Sequence, residues 1–177
     1  MTTHDVPPVR LVDLSHEALK ALLADDLAEG SRLTGIELTP ELISERNKRT
    51  WKYRVDLLAV DPAAEAWALP QVALNADGEI VGRGGFHGPP DERGMVEVGY
   101  SVDPGHRRKG YATALLAAML KRAAEAPDAL VVRASVSPDN VASLATIAKF
   151  GFVHVGELMD DEDGLELLYE RPAQDAS

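Results

Sequence analysis

A predicted strand, a basic loop and an apolar helix follow one another directly in the middle of this chain. The strand, Met95–Val102, alternates so that Val96 and Val98 face one side of a sheet while Glu97 faces the other. The helix, Gly110–Ala126, carries Ala and Leu at helical spacing and is followed by a proline. A strand that leads through a short loop into a helix is typical of an α/β domain.

The other segments complete a mixed α/β pattern. Strands are predicted at Val9–Leu14, Trp67–Asn75, Glu79–His87, Leu130–Ser137, Phe152–Leu158 and Leu165–Arg171, and helices at Ser15–Gly30, Thr39–Tyr53 and Asp139–Phe150. The order is therefore β-α-α-β-β-β-α-β-α-β-β. We expect residues 1–177 to form a single domain, with a structured core from about residue 9 to 171 and a frayed tail over 172–177.

Composition excludes several classes of function. The net charge of −11 argues against a nucleic-acid partner, because nucleic-acid binding depends on neutralising phosphates. The chain lacks an apolar run of about 18 residues and an N-terminal signal peptide, so we predict a soluble cytoplasmic protein without a membrane partner. It contains no cysteine, and its histidines show no metal-binding spacing. No metal site is expected.

Four basic residues, His106–Lys109, precede the apolar helix. Cations at a helix start are unfavourable because they meet the positive end of the helix dipole. A bound phosphate would reverse that electrostatic cost, since helix N-termini bind anions through free backbone N–H groups. The loop matches neither a Walker A nor a Rossmann glycine pattern, which argues against ATP and NAD. The alternative is an ordinary solvated basic surface.

The loop Arg107–Ala112 resembles the R/Q-x-x-G-x-G/A pyrophosphate loop of the GCN5-related N-acetyltransferase (GNAT) family. The segment "SVSPDNVASLATIAKFGF", Ser135–Phe152, resembles the second motif of that family. The resemblance extends over Val9–Arg171 and is nearest to the branch of ribosomal-protein N-terminal acetyltransferases. It implies a single-domain, mostly antiparallel sheet with splayed central strands flanked by helices, and acetyl-CoA as cosubstrate.

The resemblance also implies a cofactor site on both sides of the splayed strands. The end of the central strand would pair with the pantetheine arm, and the loop would hold the pyrophosphate through backbone N–H groups. Asn140 would approach from the other side, although it also fits a helix N-cap, and the two roles can coexist. The implied cofactor-binding residues are Ser101, Val102, Arg107, Arg108, Lys109, Gly110, Tyr111, Ala112, Thr113, Asn140 and Ser143.

The sequence departs from the family at Ile147. Many members place a tyrosine at this position, seven residues after the motif asparagine, to protonate the departing thiolate. Tyr100 and Tyr111 are candidate replacements, and both also fit purely structural roles. A third alternative is that no acid is needed, because thiols have a pKa of about 8.5 and leave readily near neutral pH.

Glu97 is the candidate general base, because its strand neighbours predict partial burial, which raises the pKa of a carboxyl group. The alternative is a structural glutamate paired with Arg83 or Arg133. His87 fits a loop-anchoring residue or a second base near the cleft mouth. The acidic run Asp160–Asp163 fits a solvated hairpin turn, or an acceptor entrance that favours a cationic amine.

Two functions follow from these patterns. The first is an acetyl-CoA-dependent N-acetyltransferase in which a primary amine attacks directly within a ternary complex. The amine would belong to a small molecule or to a protein N-terminus, and a homodimer is a family-level expectation. The alternative is a non-catalytic acyl-CoA-binding module with a sensor or interaction role. An intact phosphate loop fits both, whereas Glu97 favours the enzyme.

Overall fold

The computed structural model describes residues 6–175, and the seven strands found there form one sheet in the order β1-β2-β3-β4-β5-β7-β6. The strands are β1 (Arg10–Asp13), β2 (Gln71–Leu74), β3 (Ile80–Phe86), β4 (Met95–Val102), β5 (Val131–Val136), β6 (Val153–Asp160) and β7 (Gly164–Pro172). The helices are α1 (His16–Leu23), α2 (Leu27–Thr34), α3 (Glu45–Val60), α4 (Glu65–Ala68), α5 (Tyr111–Glu125) and α6 (Val141–Ile147).

The predicted fold class is confirmed, because the sheet is mixed and mostly antiparallel. Only β4 and β5 pair in parallel. Helices lie on both faces of the sheet. Because strand side chains alternate between the two faces, each face packs its own set of side chains against a helix. On one face α5 packs Leu116 and Met119 against Val96 and Val98 of β4. On the other, α1 and α3 pack against β2 and β3 around the fully buried Trp51.

The structure corrects the predicted elements before β2. The single helix expected over Ser15–Gly30 is two helices, because Asp25 adopts a φ of 59° and Asp26 then caps α2. The side chain of Thr39 caps nothing; a 3₁₀ turn follows it, and Ser44 is the cap of α3. Both errors have the same cause. Asp26 and Ser44 each cap a helix at a point where the sequence pattern predicts a continuous helix or an earlier helix start.

Two further boundaries differ. The strand expected from Trp67 begins only at Gln71, because Trp67 belongs to the short helix α4 and packs its ring edge-on against Phe86, with 5.0 Å between centroids. The tail predicted over 172–177 is wrong at its start. Pro172 ends β7 and Ala173 is buried, with its N–H donating to the carbonyl of Leu130. Residues 176 and 177 lie outside the described part.

The central strands separate at the middle of the sheet. β4 pairs with β5 only over Met95–Glu97, although β4 continues to Val102. The N–H of His87, next to β3, donates to the carbonyl of Glu97. Because successive residues direct their backbone groups to opposite edges, those of Val98, Tyr100 and Val102 face the gap. The gap between β4 and β5 is the splay that the resemblance implies.

Candidate functional site

The loop before α5 presents cations and free backbone donors at one end of this gap. Gly110 is the N-cap, with a φ of 88°, and no side chain caps the helix. Arg108 also has a positive φ, 62°. Arg107, Arg108 and Lys109 are exposed, and none of them pairs with a carboxylate of residues 6–175. The first N–H groups of α5 are therefore free to meet an anion.

The second side of the gap is formed by α6. The side chain of Asn140 accepts a hydrogen bond from the N–H of Ser143 at 3.1 Å, so the N-cap role is present. Lys149, just after α6, donates to Oγ1 of Thr113 at 3.2 Å, across from the loop. The sequence analysis missed Lys149, because no spacing rule connects it with the loop 36 residues earlier. It adds a further cation beside the first turn of α5.

Tyr100 bridges the two sides of the gap. Its hydroxyl lies 3.0 Å from Oγ of Ser143. Burial raises the pKa of Tyr100, although hydrogen bonds to Ser143 and Thr146 oppose the shift, and the phenol therefore stays protonated near neutral pH. Ile147, one helical turn beyond Ser143, is 1% exposed and belongs to the core. Tyr100 thus brings a hydroxyl to the helix that has Ile147 at the position where the resemblance implies a tyrosine in many members.

Tyr111, the other candidate for the acid, stands in the first turn of α5. Its ring meets His106 edge-on, with 6.1 Å between centroids, and packs against the cluster around Val81 and Leu115. These contacts favour the structural role for Tyr111. Ser101 lies on the face of β4 opposite Tyr100, as its neighbouring position in the strand requires.

Glu97 lies on the face of β4 opposite that of Tyr100, beside His87. Its Oε1 is 3.6 Å from Nδ1 of His87, and its side chain is 24% exposed. Neither arginine considered as its partner pairs with it. Arg133 instead pairs with Glu170 at 2.6 Å, and Arg83 donates to Asn47. Glu97 is therefore a partly buried carboxylate whose near neighbour is an imidazole.

The surrounding protein disfavours the protonated form of His87. Partial desolvation lowers the pKa of His87; Glu97 opposes the shift, and the charges of Arg54 and Arg83 add to it. Gly99 leaves room for the ring, because a Cβ there would lie 3.0 Å from Nε2 of His87. His87 and Glu97 line an open cavity of about 270 Å³ together with Tyr53, Leu57, Gly88, Pro89, Asp91 and Met95. A depression of about 480 Å³ between α1 and α2 contains none of the predicted site residues.

The acidic run forms the hairpin turn between β6 and β7. Oδ1 of Asp160 accepts hydrogen bonds from the N–H groups of Glu162 and Asp163, both at 2.8 Å, and these bonds lower its pKa. Beyond the turn, burial raises the pKa of Glu166, and the negative charges of Glu97, Asp163 and Asp160 raise it further. The turn therefore adds negative charge at the Glu97 side of the cleft.

Sequence reasoning also missed two arginines on this face. Arg54 of α3 is 4% exposed and donates to the carbonyl of Phe86. Arg83 of β3 donates to the side chain of Asn47. Burial lowers the pKa of each to about 10. No motif marks Arg54, and Arg83 was considered only as a partner for Glu97.

Comparison with known proteins gives a family and a fold. The model of the acetyltransferase (GNAT) domain matches residues 9–153. Two curated relatives from Bacillus subtilis carry the names uncharacterized N-acetyltransferase YjdG and YoaA. YjdG is 39% identical over 75 residues, 42% of this chain, and YoaA 31% over 80 residues, 45% of this chain. Each match spans 45% of the relative's length.

Solved structures match over nearly the whole chain. A spermidine N-acetyltransferase SpeG chimera of Vibrio cholerae and hSSAT superposes with a TM-score of 0.65 at 15% identity, covering 93% of this chain and 95% of that one. The ribosomal L7/L12 acetyltransferase RimL, in complex with coenzyme A, gives 0.63 at 17% identity, covering 93% of each. At such identities the likeness shows the fold alone. Within residues 6–175, no helix is long and apolar enough to span a membrane.

Proposed function

The chain belongs to the GNAT acetyltransferase family, and from that premise we propose that it transfers an acetyl group from acetyl-CoA to a primary amine by direct attack in a ternary complex. The observation that carries the proposal is the loop Arg107–Lys109, whose cations lack carboxylate partners in the described chain while the N–H groups after Gly110 are free. This is the arrangement that a pyrophosphate requires. Thr113 would contact the cosubstrate beside the loop, and Asn140 and Ser143 would contact it from the far side of the gap.

The chemistry divides between the two faces of β4. On the Glu97 face, the carboxylate takes the proton of the attacking amine, directly or through one water. His87, beside the carboxylate, helps to hold it in position. In the gap, backbone N–H groups of β4 polarise the thioester carbonyl. On the α6 face, Tyr100 donates its proton to the departing thiolate, in place of the family tyrosine that is Ile147 here. The base for the attacking amine and the acid for the departing thiolate thus lie on opposite faces of β4.

Tyr100→Phe is expected to lower kcat about tenfold while leaving acetyl-CoA affinity within about threefold. The effect falls below the usual range for a lost general acid because a thiolate is a good leaving group. Tyr169→Phe, a matched loss of a phenol on β7, should leave kcat unchanged. Steady-state thiol release at a saturating concentration of one acceptor measures kcat for both variants, and calorimetry measures their affinity for acetyl-CoA. Equal rates for wild type and Tyr100→Phe would assign Tyr100 to packing alone.

The proposal is tested by calorimetry with acetyl-CoA, followed by thiol release with a panel of amines and N-terminal peptides. We expect binding in the micromolar range and release with at least one acceptor. Absence of binding at about 1 mM acetyl-CoA would remove the proposal. Binding without thiol release across the panel would favour the non-catalytic acyl-CoA-binding module, which the missing tyrosine at Ile147 supports. The cytoplasmic location and the homodimer remain predictions.

A further inference from the structure

Arg83 is fixed on the same face of the sheet as Glu97, with hydrogen-bond donors to spare. Its Nε donates to Oδ1 of Asn47, its Nη2 lies 3.5 Å from Oγ1 of Thr50, and its guanidinium stands 5.2 Å from the centroid of the Trp51 ring. Its Nη1 has no hydrogen bond to residues 6–175 and is not sealed from solvent. Asp103 and Glu41 attract Arg83 only at longer range, and neither forms an ion pair with it. Such a fork is already oriented for a ligand.

Arg54 is a second cation that forms no ion pair among the described residues, although the charge of Glu97 favours it at longer range. Its Nη1 donates to the carbonyl of Phe86, while its Nε is fully buried and has no partner there. The guanidinium lies 5.5 Å from the centroid of the Tyr53 ring, and Tyr53 lines the cavity that contains His87 and Glu97. A buried charge without an ion-pair partner is costly, so an anion bound beside Arg54 would add to the partial compensation that Glu97 provides.

Arg83 and Glu97 lie at two ends of one sheet face. Arg54 lies near both, since it donates to the carbonyl of Phe86 and its charge interacts with each of them. Arg83 stands opposite Ser101, and His87 stands beside Glu97. Alternate residues of a strand face the same side, so these four residues share one face of the sheet. Four strand steps, about 13 Å, separate the backbones at Ser101 and Glu97. The charge of Arg83 nevertheless acts on His87, the neighbour of Glu97, so a small molecule between them lies within reach of both ends.

We propose that the acceptor is an amino-carboxylate of the amino-acid class, with its amine at Glu97 and its carboxylate at Arg83 and Arg54. This inference rests on the proposed acetyl transfer and specifies its acceptor. It replaces the preference for a purely cationic amine that the acidic turn alone suggests. A polyamine, the substrate that the name of the Vibrio cholerae neighbours states, would bring a second positive charge toward two arginines that form no ion pair among the described residues.

The test uses matched acceptors. Each of the standard amino acids is compared with its own carboxamide, which keeps the amine and side chain but removes the α-carboxylate charge, and spermidine is the polycationic comparison. For wild type we expect kcat/KM to be at least tenfold higher with the best amino acid than with its carboxamide. Arg83→Gln should remove that preference, mainly through KM. Arg49→Gln, which removes an exposed charge from α3, should preserve it.

Binding separates this inference from the proposed function. The amino acids and carboxamides are also titrated by calorimetry into protein saturated with coenzyme A. Amino-acid binding that Arg83→Gln weakens at least tenfold supports the inference even without thiol release, and then only the proposed acetyl transfer fails. If carboxamides or spermidine are acetylated while no amino acid binds or reacts, the inference is overturned and the acetyltransferase stands. A panel in which no amino acid binds or reacts overturns it as well.

Folding of the variants is checked by circular dichroism. Should Arg83→Gln fail to fold because it loses its contacts with Asn47 and Trp51, Arg83→Lys and Arg54→Lys replace it. Each keeps the positive charge and loses the planar fork, so each should reduce the preference for the amino acid over its carboxamide. If both folded variants keep the full preference, the two arginines are structural and the inference is overturned.

Discussion

Glu97→Gln is expected to lower kcat by about 10²–10⁴, the usual range for a lost general base, without changing acetyl-CoA affinity. The amide keeps the size of the side chain in a position where the neighbour is His87, 3.6 Å away. No arginine of the described chain forms an ion pair with the carboxylate, and only the longer-range attraction to Arg54 is lost. The fold should therefore survive. Turnover at a saturating concentration of one acceptor, together with calorimetry of acetyl-CoA, measures both properties.

Glu157→Gln is the matched control, because Glu157 is an exposed strand glutamate on β6, distant in the sheet order from β4. The pH profile adds a second readout. If the rising limb of wild-type kcat reports ionisation of Glu97, it disappears in Glu97→Gln. A limb that is identical in both proteins belongs to the acceptor amine. If Glu97→Gln turns over within about threefold of wild type at every pH, Glu97 is a structural residue. His87, its neighbour, would then be the better candidate for the general base.

The elements that the sequence predicted correctly were those in which a single periodic pattern determines the local structure. Strict alternation defined Met95–Val102 to the residue, and the apolar stripe defined α5 within one residue at each end. The segment before β2 was less predictable, because several polar residues there can each cap a helix. Whether Thr39 or Ser44 performs that role depends on where Trp51 packs, and Trp51 packs against strands that lie about 20 or more residues later in the chain.

The site followed the same division between local and distant information. The loop Arg107–Thr113 is contiguous and could be identified from sequence. Tyr100 meets Ser143 across 43 residues, and Arg54 meets Phe86 across 32, so no spacing within a motif indicates either contact. The pairing of Arg133 with Glu170 instead of Glu97 depends on β7 lying next to β5, which is a property of the sheet order.

Replacing Arg107 and Arg108 together by Ala is expected to weaken acetyl-CoA binding by about 1–3 kcal/mol, up to roughly 150-fold, as charge-assisted contacts are lost. Both side chains are exposed, and the contact of Arg107 with the carbonyl of Val102 is long, at 3.4 Å, so folding should be little affected. The matched control is Lys20→Ala with Arg32→Ala. It removes the same charge from exposed positions on α1 and α2.

The stability of the ligand-free protein gives an independent readout of the same loop. Cations before a helix start oppose the helix dipole, so their removal should raise the free energy of unfolding by about 0.3–1 kcal/mol at low salt, whereas the control pair should lower it or leave it unchanged. Urea unfolding measures this difference. A variant that is more stable and yet binds acetyl-CoA more weakly would identify Arg107 and Arg108 as charges retained for the ligand. Unchanged affinity, with or without a change in stability, would make the cluster an ordinary solvated surface and would leave only the backbone N–H groups of α5 to hold the pyrophosphate.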